Sequence, residues 1–186
     1  YPISARQLFV SHEFLMWLYA MGYAYMDIYE KFVRDSNKER ALDNFLVFNK
    51  LKNRTAVTSY DKKIQILVYP YIEKIYADSV HLKKSGWGYV DQKIETKYDC
   101  DWFRLEKERV TTSDFDKDDD AEVSFFIDAE KLPAKINIQY VIIDGEEILI
   151  SAIKQEFIQV QLEKEFVGLS ESSALLIKNN SGTRLT

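Results

Sequence analysis

Asp114, Asp116, Asp118 and Asp120 stand at alternating positions in the run Asp114–Glu122, the residue type and spacing with which hard cations are held. The first three match the first three side-chain ligands of a calcium loop. Such a loop also needs glycine at its sixth position and a bidentate glutamate at its twelfth, where Asp119 and Phe125 stand here. The four aspartates are thus candidate ligands for a weakly held divalent cation. The plainer expectation is a solvated loop between two strands, and a third is a docking patch for a basic surface.

Other chemistry finds less support. His12 and His81 are far apart, and His12-Glu13 is followed by Phe14, Leu15 and Met16, so HExxH is absent. No GxSxG elbow occurs, and the six glycines form neither GxGxxG nor a phosphate-cradling P-loop. Near Asp128-Ala-Glu-Lys131 the spacing is one residue too long for the Asp/Glu-x-Lys of a metal-dependent nuclease. Cys100 is the single cysteine, which excludes an intrachain disulfide and a cysteine zinc site and suits the cytoplasm or another reducing compartment. Its neighbours Asp99 and Asp101 would raise the thiol pKa, the wrong direction for a nucleophile. No catalytic residue and no cofactor are expected.

A different feature points to binding. From Phe14 to Met26 the chain carries no charge over 13 residues, between Glu13 and Asp27. This is short of the roughly 20 apolar residues that span a bilayer. Read as part of one helix over 4–34, the segment places His12, Glu13, Asp27, Glu30, Lys31 and Arg34 on one side. Met16, Ala20, Tyr23 and Ala24 interrupt that polar stripe and form a candidate partner face, coverable by another helix of this chain or by a second molecule. The aromatic residues Trp87, Tyr89, Tyr98, Trp102 and Phe103 could instead line a cup for a small ligand between helices and sheet, or simply fill a core.

The elements that must position these residues follow from periodicity. A second helix is expected after a capping box, Ser36-Asn-Lys-Glu39, with Leu42, Phe45 and Leu46 on its apolar face. Ile64, Leu67, Val68, Tyr71, Ile72, Ile75 and Tyr76 keep a helical period over 60–84, predicting a third helix kinked at Pro70 and ending near Gly86; the alternative is a strand over Ile64–Tyr69. After Gly86 the period changes to two. Strands are expected around Val90–Tyr98, Trp102–Thr112, Val123–Ile127, Lys135–Ile143, Glu147–Ile153 and Phe157–Leu162, with Asp144-Gly145 as the clearest hairpin turn.

Together these give a single α+β domain: about three N-terminal helices (1–86, net basic) packed on a C-terminal, mostly antiparallel sheet of about five strands (87–178, net acidic), with a frayed tail at 179–186. Residues 1–86 hold 13 Lys/Arg against 9 Asp/Glu, a net of +4, and residues 87–186 hold 12 against 21, a net of −9. An acidic half repels a phosphate backbone, so nucleic acid is not an expected partner. The reading that unites these features is a non-enzymatic protein–protein interaction or assembly protein that self-associates or binds a protein partner. The second reading is a small-ligand binder, or an enzyme, with an aromatic cup.

Overall fold

The computed structural model describes residues 3–155, 158–162 and 175–179. Among them the α+β expectation holds in outline, with helices at the N-terminus and antiparallel and mixed sheets after them. The expected first helix is three helices: α1 (Ile3–Phe9), α2 (His12–Met21) and α3 (Tyr23–Val33). Ser11 caps α2, its side chain accepting from the Phe14 amide at 3.2 Å. Gly22 separates α2 from α3 with φ 119°, a conformation that a side chain would strain. Continuous apolarity concealed both breaks, because neither a serine nor a single glycine is excluded from a helix interior.

Helix α4 (Lys38–Phe48) is where the sequence places it, but its cap is Asn37, not Ser36. The Asn37 side chain accepts from the Glu39 and Arg40 amides at 3.0 and 3.1 Å, while Asp35 accepts from the Asn37 amide at 2.9 Å. Asp35 takes up the chain entry, so the cap shifts by one residue.

The expected third helix, kinked at Pro70, is absent. Residues 60–84 instead contain β2 (Lys63–Val68) and β3 (Ile75–Lys84), preceded by β1 (Val57–Ser59). Pro70 lies in the turn between β2 and β3. The Tyr76 hydroxyl closes that turn, accepting from the Tyr69 amide at 2.8 Å and donating to the Tyr69 carbonyl at 3.0 Å. The strand alternative for Ile64–Tyr69 matches β2. The remaining strands are β4 (Asp91–Thr96), β5 (Phe103–Leu105), β6 (Arg109–Thr111), β7 (Asp120–Asp128), β8 (Ile136–Ile143), β9 (Glu146–Lys154), β10 (Ile158–Leu162) and β11 (Leu175–Asn179).

These strands form two large sheets where one was expected. One sheet has the order β1-β3-β7-β5 and the other β2-β9-β8-β4-β6, with β2 parallel to β9 and the other pairs antiparallel. Consecutive strands occupy matching edges: β1 and β2 at one side, β5 and β6 at the other. The chain thus passes from sheet to sheet at both edges. The β8–β9 hairpin turns at Asp144–Gly145 as expected. Strand β10 pairs with β11 instead of extending a large sheet. Of the expected frayed tail over 179–186, Asn179 is the last residue of β11, and residues 180–186, like Phe157, lie outside the described residues.

Inward residues of both sheets, among them Val80, Leu82, Val123, Phe125, Ile127, Val141, Ile143, Ile148 and Ile150, form one buried cluster. A second, smaller cluster belongs to the helices: Phe9, Leu18, Met26, Tyr29, Ala41, Leu42 and Phe45. Asp43 and Lys52 join the helices to the sheets. Their ion pair is 2.5 Å long, with side chains 7% and 8% exposed. Asp43 also accepts from the Tyr89 amide at 3.1 Å, and Lys52 donates to Thr55 Oγ1 at 3.1 Å. Gly88 leaves the space in which this happens, since a methyl group there would overlap both Lys52 Nζ and Thr55 Oγ1.

Removing one member of such a pair leaves a buried charge without its partner, at a cost of about 3–5 kcal/mol. Asp43→Ala is expected to destabilise the chain by that amount in equilibrium denaturation, and Gly88→Ala to destabilise it through overlap. A loss below about 1 kcal/mol for Asp43→Ala would show that the junction does not depend on the pair.

Candidate functional site

The apolar stretch chosen from sequence lies on α2 and α3. Met16, Ala20 and Ala24 are exposed, and Tyr23 is the first residue of α3. Gly22 interrupts the helix between Ala20 and Tyr23, so the four residues do not make one continuous helical stripe. The exposed apolar surface is instead wider than the stripe. Of the six residues from Met16 to Met21 only Leu18 is buried, and Trp17, Tyr19 and Met21 are 55%, 52% and 50% exposed. Tyr25 on α3, Leu8 on α1 and Val10 just after α1 are exposed as well. Sequence reasoning missed Trp17, Tyr19 and Met21, because a large apolar side chain is assigned by type to an interior.

Under this surface lies a set of rings in tilted and edge-on contact. Phe9, Phe14, Tyr29 and Phe45 contact one another with centroids 5.3–6.2 Å apart. The Tyr29 hydroxyl donates to the Phe9 carbonyl at 2.9 Å, which fixes the end of α1. Burial pushes the Tyr29 hydroxyl pKa up and keeps it a donor. Beside the rings opens an apolar pocket of about 310 Å³ lined by Ala5, Leu8 and Phe9 of α1, Phe14 of α2, Leu42, Phe45 and Leu46 of α4, and Trp87. Among the described residues, no charged or hydrogen-bonding side chain other than the Trp87 indole lines it. The pocket can take apolar groups, and it supplies neither acid nor base.

The aromatic residues proposed for a ligand cup are not brought together. Trp87 is exposed at the helical pocket, with Lys52 Nζ 5.2 Å from its ring centroid. Trp102 and Phe103 are buried between the sheets. Tyr98 packs on Tyr140 at 6.2 Å, and Tyr89 lies near Asn37 and Asp91.

In the acidic loop each carboxylate has its own donors. Asp114 accepts from Lys107 at 2.6 Å and from the Thr111 amide and hydroxyl at 2.6 and 2.8 Å. Asp116 accepts from the amides of Asp118 and Asp120 at 2.8 and 3.0 Å. Asp118 is 3.8 Å from Lys117 Nζ, and Asp120 accepts from the Tyr60 hydroxyl at 2.8 Å and pairs with Lys83 at 3.2 Å. Among the described residues no group of three or more His, Cys, Asp or Glu side chains is arranged to hold a metal ion. His81, expected on a helix, is on β3, its Nδ1 3.1 Å from Asp61 and its Nε2 3.5 Å from Glu122. Burial pushes the Cys100 thiol pKa up, and Asp99 and Asp101 add to the rise against Gln139, which donates to Sγ at 3.3 Å.

Lys38, Arg40, Lys52, Arg54 and Lys62, close in sequence around α4, are engaged with separate partners. Lys38 donates to the Val33 and Asp35 carbonyls at the end of α3, Arg40 pairs with Asp35, and Lys52 is buried on Asp43. Arg54 pairs with Asp144 and Lys62 with Glu146.

Residues 2–171 match a family of unknown function described as DUF5717, N-terminal, and the chain belongs to that family. No curated protein matches it. Among solved structures, a crystal structure of tripeptidyl peptidase 2 (TPP II) is similar over 71% of this chain, at 12% identity and a TM-score of 0.40. The likeness spans 13% of that longer chain.

The loop aspartates give a pH dependence. Burial opposes the charge on Asp114, but Lys107 and Thr111 outweigh it and hold the carboxyl below the usual aspartate range. The Tyr60 hydroxyl and then Lys83 do the same for Asp120. Because the folded pKa values are lowered, this stabilisation is complete above the unfolded aspartate pKa and is lost as pH falls through the folded values. Stability to denaturant is expected to decline between about pH 5 and about pH 2, with a shallower acid limb in Asp114→Asn. An unchanged limb in that variant would assign the acid loss to other carboxylates.

Proposed function

We propose that this segment of a family of unknown function is a non-enzymatic protein–protein interaction module whose helical layer forms the contact surface. One observation carries the reading: from Met16 to Met21 helix α2 exposes every residue but Leu18, and all are apolar. Isolated exposed apolar residues are ordinary, whereas a contiguous group of Trp, Tyr and Met without an intervening charge is the composition of an interface core. The sheets supply a rigid base, and the Asp43–Lys52 junction holds the helices on it. No reaction is assigned, because the groups lining the helical pocket are apolar.

A photoreactive amino acid placed at Met16 or Ala20 in the full protein tests this in cells. Each position is expected to yield one discrete cross-linked protein product, and a control at Lys117, whose side chain is 90% exposed, to yield none. Absence of a product at both positions, or an equal product at Lys117, would remove the helical layer as the contact surface.

A further inference from the structure

The helical face carries a projecting group and a recess side by side. Trp17 is 55% exposed and stacks on Phe14, with centroids 5.7 Å apart and planes 23° apart. Phe14 in turn lines the apolar pocket of about 310 Å³ together with Leu8, Leu46 and Trp87. The recess is large enough to seat an indole; Trp87 forms part of its lining, and Trp17 stands beside it through its stacking on Phe14. A knob and a hole next to each other on one face are what a two-fold contact requires, because each copy must offer both to the other.

We propose, building on the interaction reading above, that the partner is a second copy of this chain, with Trp17 of each copy seated in the apolar pocket of the other. Charge favours this occupant over a charged one. A two-fold contact brings like groups near each other, and a chain of net charge −5 avoids self-repulsion only where its surface is uncharged. The run from Phe14 to Met26 is such a surface. The area is also adequate. Leu8, Val10, Met16, Trp17, Tyr19 and Met21 are each 44–56% exposed. Together they offer on the order of 600 Å², the greater part of the roughly 800 Å² per partner of a standard interface. Ala20 lets the two α2 helices approach closely.

The test is reciprocal complementation. Light scattering and sedimentation on the whole chain should show a monomer–dimer equilibrium at micromolar concentrations. Trp17→Glu removes both knobs and Leu8→Glu spoils both holes, and each variant is expected to weaken the dimer roughly 30-fold or more. Mixing the two variants restores one intact knob–hole pair per dimer, so the mixture should dimerise more tightly than either variant alone. Both side chains are about half exposed, and thermal melts are expected to stay close to the parent; if one variant melts early, the corresponding alanine variant replaces it. A chain that stays monomeric, a dimer indifferent to both variants, or a mixture no tighter than its components would overturn the proposal. A cross-link from Met16 to a product of some mass other than two copies would also overturn it, while leaving the interaction reading in place.

Discussion

The ion pair between Asp43 and Lys52 is the contact on which the relation of helices to sheets depends. Asp43 comes from the middle of α4 and Lys52 from the segment leading to β1, and both side chains are withdrawn from water. Asp43 also accepts from the Tyr89 amide and Lys52 donates to the Thr55 hydroxyl, both on the sheet side. Desolvating two charges is expensive, and mutual attraction alone often fails to offset it. What the arrangement supplies is position: a charged pair with directional partners accepts one geometry, where an apolar contact would accept several. Gly88 is part of the same constraint, since any side chain there would occupy the space of the ammonium group.

That constraint explains why the helices can leave so much apolar surface uncovered. Among the described residues the helical cluster has seven buried residues, against 21 between the sheets. Helices of 7 to 11 residues cannot wrap one another. Leu18, Leu15 and the ring group of Phe9, Phe14, Tyr29 and Phe45 use the interior that exists among the described residues, while Met16, Trp17, Tyr19 and Met21 stay exposed. Isolated helices of this length are marginal in water, so α2 persists because tertiary contacts hold it. An exposed, apolar and positioned helix is a stability cost in the free chain, and that cost is consistent with a surface that is covered in use.

Local pattern made part of this legible. Alternation over Val123–Ile127, the Asp144–Gly145 turn and the apolar face of Leu42 and Phe45 all read correctly, because each depends on neighbours in sequence. Residues 60–84 read wrongly for a related reason. Ile64, Leu67 and Val68 satisfy the helical period, but β2 exists through its parallel pairing with β9, some 85 residues away and invisible to periodicity. Two sheets were taken for one because the crossings at β1–β2 and β5–β6 leave no local mark. Asp43 and Lys52 looked like ordinary surface charges of α4 and its following turn, and only their burial reveals a junction. On α2 the uncharged stretch is legible in the sequence, but the direction of its faces is not. Gly22 resets the helical phase, so a wheel drawn through it assigns faces that the protein does not have.

The charge division has a similar resolution. A net of +4 before residue 87 and −9 after it suggests that one copy's basic half meets another's acidic half. In the folded chain the two halves meet within one molecule. Arg54 pairs with Asp144, Lys62 with Glu146, Lys74 with Glu130, Lys83 with Asp120 and Lys84 with Asp119. Most of these pairs are partly solvated and individually weak. Their placement still matters, because each joins an early element to a late one and places the opposite charge where a second molecule's would have to bind. Head-to-tail electrostatic assembly would have to compete with contacts already made. Among the described residues Met16, Trp17, Tyr19 and Met21 are exposed and uncharged, which makes burial of apolar area, and not charge, the force that the helical layer offers for association.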